Sequence, residues 1–207
     1  MRKPKKIGIV GGSYNPIHNA HLIIAEHFRE QMNLDLVLLI PSNISPNKVA
    51  QKNKYIDSTH RLNMVVLACR NNKYFRVDDV EIQRNGISYT IDTLKYLKNK
   101  YLNAELFLLI GEDQAINFNK WNRWQEILKY SQLCIAGRNQ NLELSETTQE
   151  TINNIFDEIN YKPIWITSPL MDISSSNIRN RISKGQSIKY QVPNSVLSYI
   201  EKNNLYK

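Results

Sequence analysis

The sequence predicts an α/β fold: a mostly parallel, doubly wound sheet followed by a helical C-terminal segment. Short, continuous apolar runs recur at Ile7–Val10, Leu36–Ile40, Leu106–Ile110 and Gln132–Ala136, the pattern of parallel strands covered on both faces. The stretches between them repeat their apolar residues at helical spacing. Several runs also stop at a breaker, at Gly11, Pro41 and Gly111. Strands alternating with helices build βαβ units, so the predicted arrangement is Rossmann-like.

Taken in order, Ile7–Val10 is the first strand, and Ala20, Ile23, Ile24 and Phe28 mark one face of a helix fading near Asn33. Leu36–Ile40 reads as a central strand, and the loop Pro41–Lys48 leaves its carboxyl end, where open α/β sheets place ligands. Ser58 suits an N-cap for a helix that turns Leu62, Val65, Val66 and Cys69 inward. A short strand follows over Tyr74–Val80, then a turn at Arg84–Gly86. Ser88 is expected to open a helix carrying Ile91, Leu94 and Leu97. After the strands at Leu106–Ile110 and Gln132–Ala136, the polar stretch Asn139–Gln149 reads as a loop and Pro163–Ile166 as a last short strand. Ser174 caps a helix through Arg181, and Pro193 begins a final one, either a lid or a surface helix.

The bulk numbers narrow the class. At 207 residues, with 42% apolar and 22% charged, the chain is expected to form a single domain over residues 1–207 with a real core. No apolar run approaches the roughly 20 residues of a membrane helix. The basic start Met1–Lys6 leads into a strand rather than a signal-peptide core, which predicts a cytoplasmic protein without a membrane partner. The net charge is +8. Arg2, Lys3, Lys5 and Lys6 carry four of those charges, leaving +4 on the other 201 residues. Such a balance suits anionic nucleotides as well as nucleic acid; with no RNA-recognition or helix-turn-helix pattern, no nucleic-acid partner is expected. Cys69 and Cys134 lack C-x-x-C spacing and fall in apolar surroundings, so both read as reduced core residues.

The segment from Gly11 to Leu22 organises the rest. It is a strand-to-helix turn in which Gly11 and Gly12 let backbone N–H groups approach an anion, and the helix adds the positive end of its dipole. His18 and His21, three apart, lie on one side of the first helical turn. A zinc pair needs further ligands, and His27, further along the same helix, and His60, in another, stand alone, so no protein metal site is expected. Strand, glycine pair, histidine pair and helix start together suit a polyphosphate.

That segment resembles the first signature of the nucleotidyltransferase superfamily, in which a small residue, an aromatic, Asp or Asn, and Pro lead into an H-x-G-H pair. A second signature, I-S-S-x-x-I-R, appears as Ile173–Arg179. Ser88–Leu94, Gly111–Asp113 and Trp121 also fall where the bacterial nicotinate-nucleotide adenylyltransferases have comparable pieces, and the likeness covers nearly the whole chain. Ala20 stands where a glycine usually separates the histidines, and Asn47 precedes Lys48 where the family often has His.

The resemblance implies transfer of the adenylyl group of ATP to nicotinic acid mononucleotide, giving deamido-NAD and pyrophosphate, with Mg2+ held mainly through ATP. It implies an ATP site of Gly11, Gly12, Ser13, Tyr14, His18, His21, Ser174, Ser175, Ser176 and Arg179. His18, His21, Lys48 and Arg179 neutralise charge during transfer. The mononucleotide falls to Ser42, Lys48, Thr90, Asp113, Trp121 and Arg138, with Trp121 stacking on the pyridine ring. Several residues keep a plainer reading as well: Tyr14 as packing, Asn15 as the holder of the turn, Thr90 as a helix cap and Asp113 as a loop holder. Other readings are transfer to nicotinamide mononucleotide or another phosphate acceptor, and a non-catalytic nucleotide or nucleic-acid binder.

Overall fold

The computed structural model describes residues 3–46, 56–138, 146–169 and 171–207. Six strands form one parallel sheet with flanking helices, a Rossmann-like α/β fold. They are β1 (Lys6–Gly12), β2 (Leu36–Pro41), β3 (Phe75–Val77), β4 (Glu105–Gly111), β5 (Gln132–Arg138) and β6 (Ile164–Ser168). Their spatial order is β3-β2-β1-β4-β5-β6, so the direction of winding reverses at β1. In open α/β sheets the loops beyond the strands' carboxyl ends at such a reversal bind ligands. The loop there begins at Gly11.

By packing, the chain divides into two compact units. The first comprises Met1–Val10, Glu26–Val37 and Tyr89–Leu170, and the second Gly11–Ala25, Leu38–Ser88 and Met171–Lys207.

In the first unit β1 pairs with β4 (Ile9 opposite Leu108), β4 with β5 (Leu109 opposite Cys134) and β5 with β6 (Ala136 opposite Ile166). The apolar runs of β1, β4 and β5 are buried on both faces, as central parallel strands require, while β6 at the sheet edge leaves Trp165 37% exposed. The later part of helix α1 (Asn19–Met32) lies close against β1. A Cβ at Gly8 would stand 2.5 Å from Leu34 Cδ1 and 2.7 Å from Phe28 Cε1, so only glycine lets Phe28 seat there. Helix α4 (Thr90–Lys100) buries Ile91, Leu94 and Leu97 as the spacing predicts, and packs on α6 (Trp124–Tyr130).

In the second unit α2 (Ser58–Cys69) packs against α9 (Asn194–Lys202). Helix α9 buries Val196 and Ile200, and Tyr199 accepts a hydrogen bond from Asn63 and pairs with His60. The final helix is thus a cover over α2. Both cysteines are free and buried, one in each unit, and burial pushes each thiol up to about 12.

Several expected details differ. The cap of α2 is Asp57, which accepts from Thr59 N–H at 2.7 Å; Ser58 is the first helical residue. A carboxylate at a helix N-terminus also meets the dipole, and Asp57 titrates below the ordinary range, chiefly through its hydrogen bonds with Thr59. Val66 is 49% exposed rather than inward; the inner face is filled by Arg61, Met64, Val65 and Cys69. Ser88 does not start α4. Its hydroxyl accepts from Asn43 N–H at 2.9 Å, fastening the loop after β2 to the turn at Asn85–Gly86. The strand expected over Tyr74–Val80 stops at Val77, and Val80 begins the short helix α3 (Val80–Arg84). Of the stretch Asn139–Gln149, residues 139–145 lie outside the described residues and α7 (Glu146–Asp157) occupies the rest.

Candidate active site

The bend after β1 is shaped by one close approach. A Cβ at Gly12 would lie 2.9 Å from Tyr14 Cζ, so the glycine makes room for a ring that is only 2% exposed. Tyr14 stands edge-on to His21, centroids 5.1 Å apart, and burial raises its phenol well above the ordinary tyrosine value. Of the two readings for Tyr14, packing beneath the histidines is the one the geometry displays.

His18 and His21 stack face to face with centroids 3.6 Å apart and planes 24° from parallel. The backbone N–H of His18 donates to His21 Nδ1 at 3.2 Å. An accepting Nδ1 fixes the neutral tautomer, so His21 carries its proton on Nε2 as a donor. His18 is 5% exposed, and desolvation lowers its pKa to about 4. Its Nδ1 is buried without a hydrogen-bond partner. The start of α1 is less open than the dipole argument assumed, because Asn19 N–H is taken by Gln191 O at 2.8 Å.

The second signature reaches this bend. Ser174 caps α8 (Ser175–Ser183), accepting from Asn177 N–H at 3.1 Å. Ser175 Oγ donates to Pro16 O at 2.8 Å. Arg179 donates from Nη1 to Asn15 O at 2.7 Å and from Nη2 to Ser176 Oγ at 3.2 Å. Two strings about 160 residues apart in sequence therefore touch directly. The guanidinium expected on a phosphate also holds the bend itself.

Two participants escaped the sequence reading. Arg61 is 2% exposed and donates from Nη1 to Ser13 O (2.8 Å) and Ser42 O (2.6 Å) and from Nη2 to Asn43 O (2.9 Å), tying the loops after β1 and β2 together. The available signal was its phase: Arg61 sits three and four residues before the buried Met64 and Val65, a cation on an apolar stripe. The other is Tyr206, whose hydroxyl donates to Asn15 Oδ1 at 2.9 Å; no local pattern marks it.

Ser42 is buried and enters through its backbone, donating N–H to Gly12 O at 2.9 Å. Lys48 lies outside the described residues. The remaining expected residues belong to the first unit. Thr90 is the first residue of α4; the cap position is Tyr89. Asp113, in the short helix α5 (Glu112–Ala115), is exposed and accepts from Gln114 Nε2 at 2.8 Å. Trp121 follows a 3-10 turn at Phe118–Lys120, half-buried with its ring centroid 5.3 Å from that of Phe118. Asn122 and Arg123 beside it are exposed, with Arg123 in the left-handed region at φ 55°. Arg138 ends β5, its backbone paired with Ser168. Among the described residues no group of three or more His, Cys, Asp or Glu is arranged to hold a metal ion, and no helix is long and apolar enough to cross a membrane.

A Cytidylyltransferase-like family model matches residues 9–181, spanning both signatures. A protein of Streptococcus pyogenes serotype M3 described as a "probable nicotinate-nucleotide adenylyltransferase" is 39% identical over 98% of this chain and 89% of its own length. The chain belongs to the nicotinate-nucleotide adenylyltransferase family. Family members of the same description from Thermoanaerobacter and Borreliella burgdorferi are 37% and 36% identical over nearly the full length of both chains. In structure the chain is similar to Plasmodium falciparum nicotinic acid mononucleotide adenylyltransferase complexed with NaAD. The TM-score is 0.74 at 21% identity, covering 98% of this chain and 97% of that one. The same enzyme complexed with APC gives 0.72 at 20% identity with the same coverage. At these identities the structural likeness speaks for the fold.

Proposed function

We propose that this chain transfers the adenylyl group of ATP to nicotinic acid mononucleotide, forming deamido-NAD and pyrophosphate, in the cytoplasm. The observation that carries the reading is the junction of the two signatures, Ser175 on Pro16 O and Arg179 on Asn15 O, in a chain of this family. That junction gathers imidazoles, hydroxyls and a guanidinium around one bend, and such donors suit a triphosphate.

The chemistry asks little else of the protein. A phosphate oxygen of the mononucleotide attacks the α-phosphorus of ATP, the bond to the α,β-bridging oxygen breaks, and pyrophosphate departs with the electron pair. The attacking oxygen is already anionic, so no base is needed. Rate then comes from positioning and from stabilising charge that builds on the leaving group. His21, its proton on Nε2, is a ready donor. His18 is neutral and buried; a triphosphate beside it raises its pKa by opposing charge and gives its unpaired Nδ1 an acceptor. Ser174, Ser175, Ser176, Gly11, Gly12 and Ser13 line the ATP side in this reading, and Arg179 directs its remaining N–H groups to the β- or γ-phosphate. Lys48 adds charge from the loop after β2.

The acceptor falls to Trp121, Thr90, Asp113, Ser42 and Arg138. Trp121 presents a half-buried ring for the pyridine, and the backbone N–H groups of Asn122 and Arg123 are the donors for its carboxylate. Mg2+ would accompany ATP and lower the charge of the triphosphate; it would be held mainly through phosphate oxygens and water, in keeping with its preference for retained waters. The basic surface serves anionic nucleotides in this reading, not nucleic acid.

The test is pyrophosphate release from ATP and magnesium with each acceptor supplied in turn. Release with nicotinic acid mononucleotide alone is expected. Equal release with nicotinamide mononucleotide shifts the acceptor assignment, and none with any acceptor points to a binder.

A further inference from the structure

We propose that Tyr206 is a positioning residue for adenylyl transfer: its hydroxyl fixes the Asn15 side chain and so sets the bend that carries His18 and His21. The inference rests on the reaction proposed above and adds a residue that neither signature contains.

Asn15 is 2% exposed, and each of its oxygens is claimed from elsewhere in the second unit. Arg179 takes the backbone carbonyl and Tyr206 takes Oδ1, while Nδ2 is buried with no partner. With Ser175 on Pro16 O and Arg61 on Ser13 O, these bonds occupy carbonyl acceptors along the turn. What the bend then presents to an anion is its imidazoles, because carbonyl oxygens that would repel a phosphate are held by donors. Tyr206 holds the side chain of the residue at the centre of that turn. Without it, the whole side-chain amide of Asn15 is buried and unpaired, and the backbone that leads through Pro16 into His18 is held less firmly.

The segment bearing Tyr206 is built to deliver it. After α9, Asn204 turns left-handed at φ 50°, and Leu205 N–H donates to Ile200 O at 3.1 Å while both side chains are buried. With Asn204 N–H on Glu201 O at 3.2 Å, that is a Schellman closure, which fixes where the chain leaves the helix. Tyr206 itself adopts φ 67°, a conformation a bulky residue holds only when its surroundings demand it. Its phenol is largely buried and within electrostatic reach of Arg179 and Arg61, the two other ties on the bend.

The test compares Tyr206→Phe in the wild-type and Asn15→Ala backgrounds, with kcat, KM for nicotinic acid mononucleotide, and hydrogen exchange of the free protein. Tyr206→Phe alone is expected to lower kcat about fivefold to tenfold, the worth of one hydrogen bond, with the acceptor KM within about twofold. Exchange should rise in the 13–21 segment and stay unchanged in α9. In the Asn15→Ala background the same change should alter kcat by less than about twofold, because the coupling is already lost. An equal loss in both backgrounds, or wild-type kcat and exchange in Tyr206→Phe, overturns the proposal. If the wild-type protein releases no pyrophosphate with any acceptor, the reaction assignment fails and exchange decides alone. Faster exchange in 13–21 then supports the tie between Tyr206 and Asn15, and unchanged exchange refutes it.

Discussion

At the bend after β1, the oxygens of Ser13, Asn15 and Pro16 accept from Arg61, Arg179, Ser175 and Tyr206, partners from 48 to 191 residues away in sequence. At the turn before α6, Trp121 rests on Phe118, and its N–H bonds to Phe118 O at 3.0 Å. The first region is fixed by long-range hydrogen bonds; in the second, Trp121 itself rests on a near neighbour in sequence, Phe118, which is anchored in turn on Phe156. The difference suits the role proposed for each. Stabilising charge in a transition state requires donors fixed in advance, whereas stacking on a planar ring tolerates small shifts and is paid in binding. Substitutions at the bend should therefore fall on kcat, and substitutions at the aromatic turn on the acceptor's KM.

The largest effect that sharpens this contrast is expected from His21→Ala and His18→Ala. Each should lower kcat about 100-fold or more, with the ATP KM changed far less. Steady-state pyrophosphate assays check this; near-normal turnover in both variants would break the contrast at its strong end. Trp121→Ala is expected to raise the KM for nicotinic acid mononucleotide about tenfold, equivalent to ~1.4 kcal/mol of stacking, and to leave the ATP KM within about twofold. A matching loss in ATP affinity would mean that the two regions do not divide the substrates. Ser175→Ala removes one hydrogen bond to Pro16 O and should reduce kcat only severalfold.

A fourth prediction concerns stability. The pKa of His18 is lowered from 6.5 to about 4 by burial, so below pH 6.5 the unfolded chain takes up a proton that the folded chain refuses. The stabilisation is fully present above pH 6.5 and is lost as pH falls toward 4, with a ceiling of about 3 kcal/mol. Urea melts at pH 7 and pH 4.5 should show a smaller pH-dependent loss for His18→Gln than for the wild type. Saturating ATP, by favouring the charged imidazole, should shrink the wild-type loss as well.

How much of this was readable beforehand follows the same divide. The long apolar strands at Ile7–Val10, Leu36–Ile40 and Leu106–Ile110, the α4 stripe at Ile91, Leu94 and Leu97 and the Ser174 cap are local patterns, and each appears where its spacing puts it. Arg61 and Tyr206 could not be read in that way. Their partners are backbone carbonyls and an amide far off in sequence, and those oxygens carry no residue-specific mark. The cap of α2 went to Asp57 over its neighbour Ser58 because both residue types favour that position and only the carboxylate adds a charge at the dipole's positive end. Ser88 looked like a helix start because hydroxyls usually are; a long-range bond to Asn43 N–H claimed it instead. Val66 lies about 100° round the helix from Val65 on the side away from Met64, and so falls beyond the buried stripe of Arg61, Met64, Val65 and Cys69.

The central claim is that the bend and the start of α8 grip one triphosphate. A crystal structure with a non-hydrolysable ATP analogue and magnesium tests it most directly. The account predicts phosphate oxygens within hydrogen-bond distance of both the His18 and His21 rings and of the Ser174–Arg179 segment. A triphosphate bound elsewhere, or touching the histidines with α8 uninvolved, would contradict it.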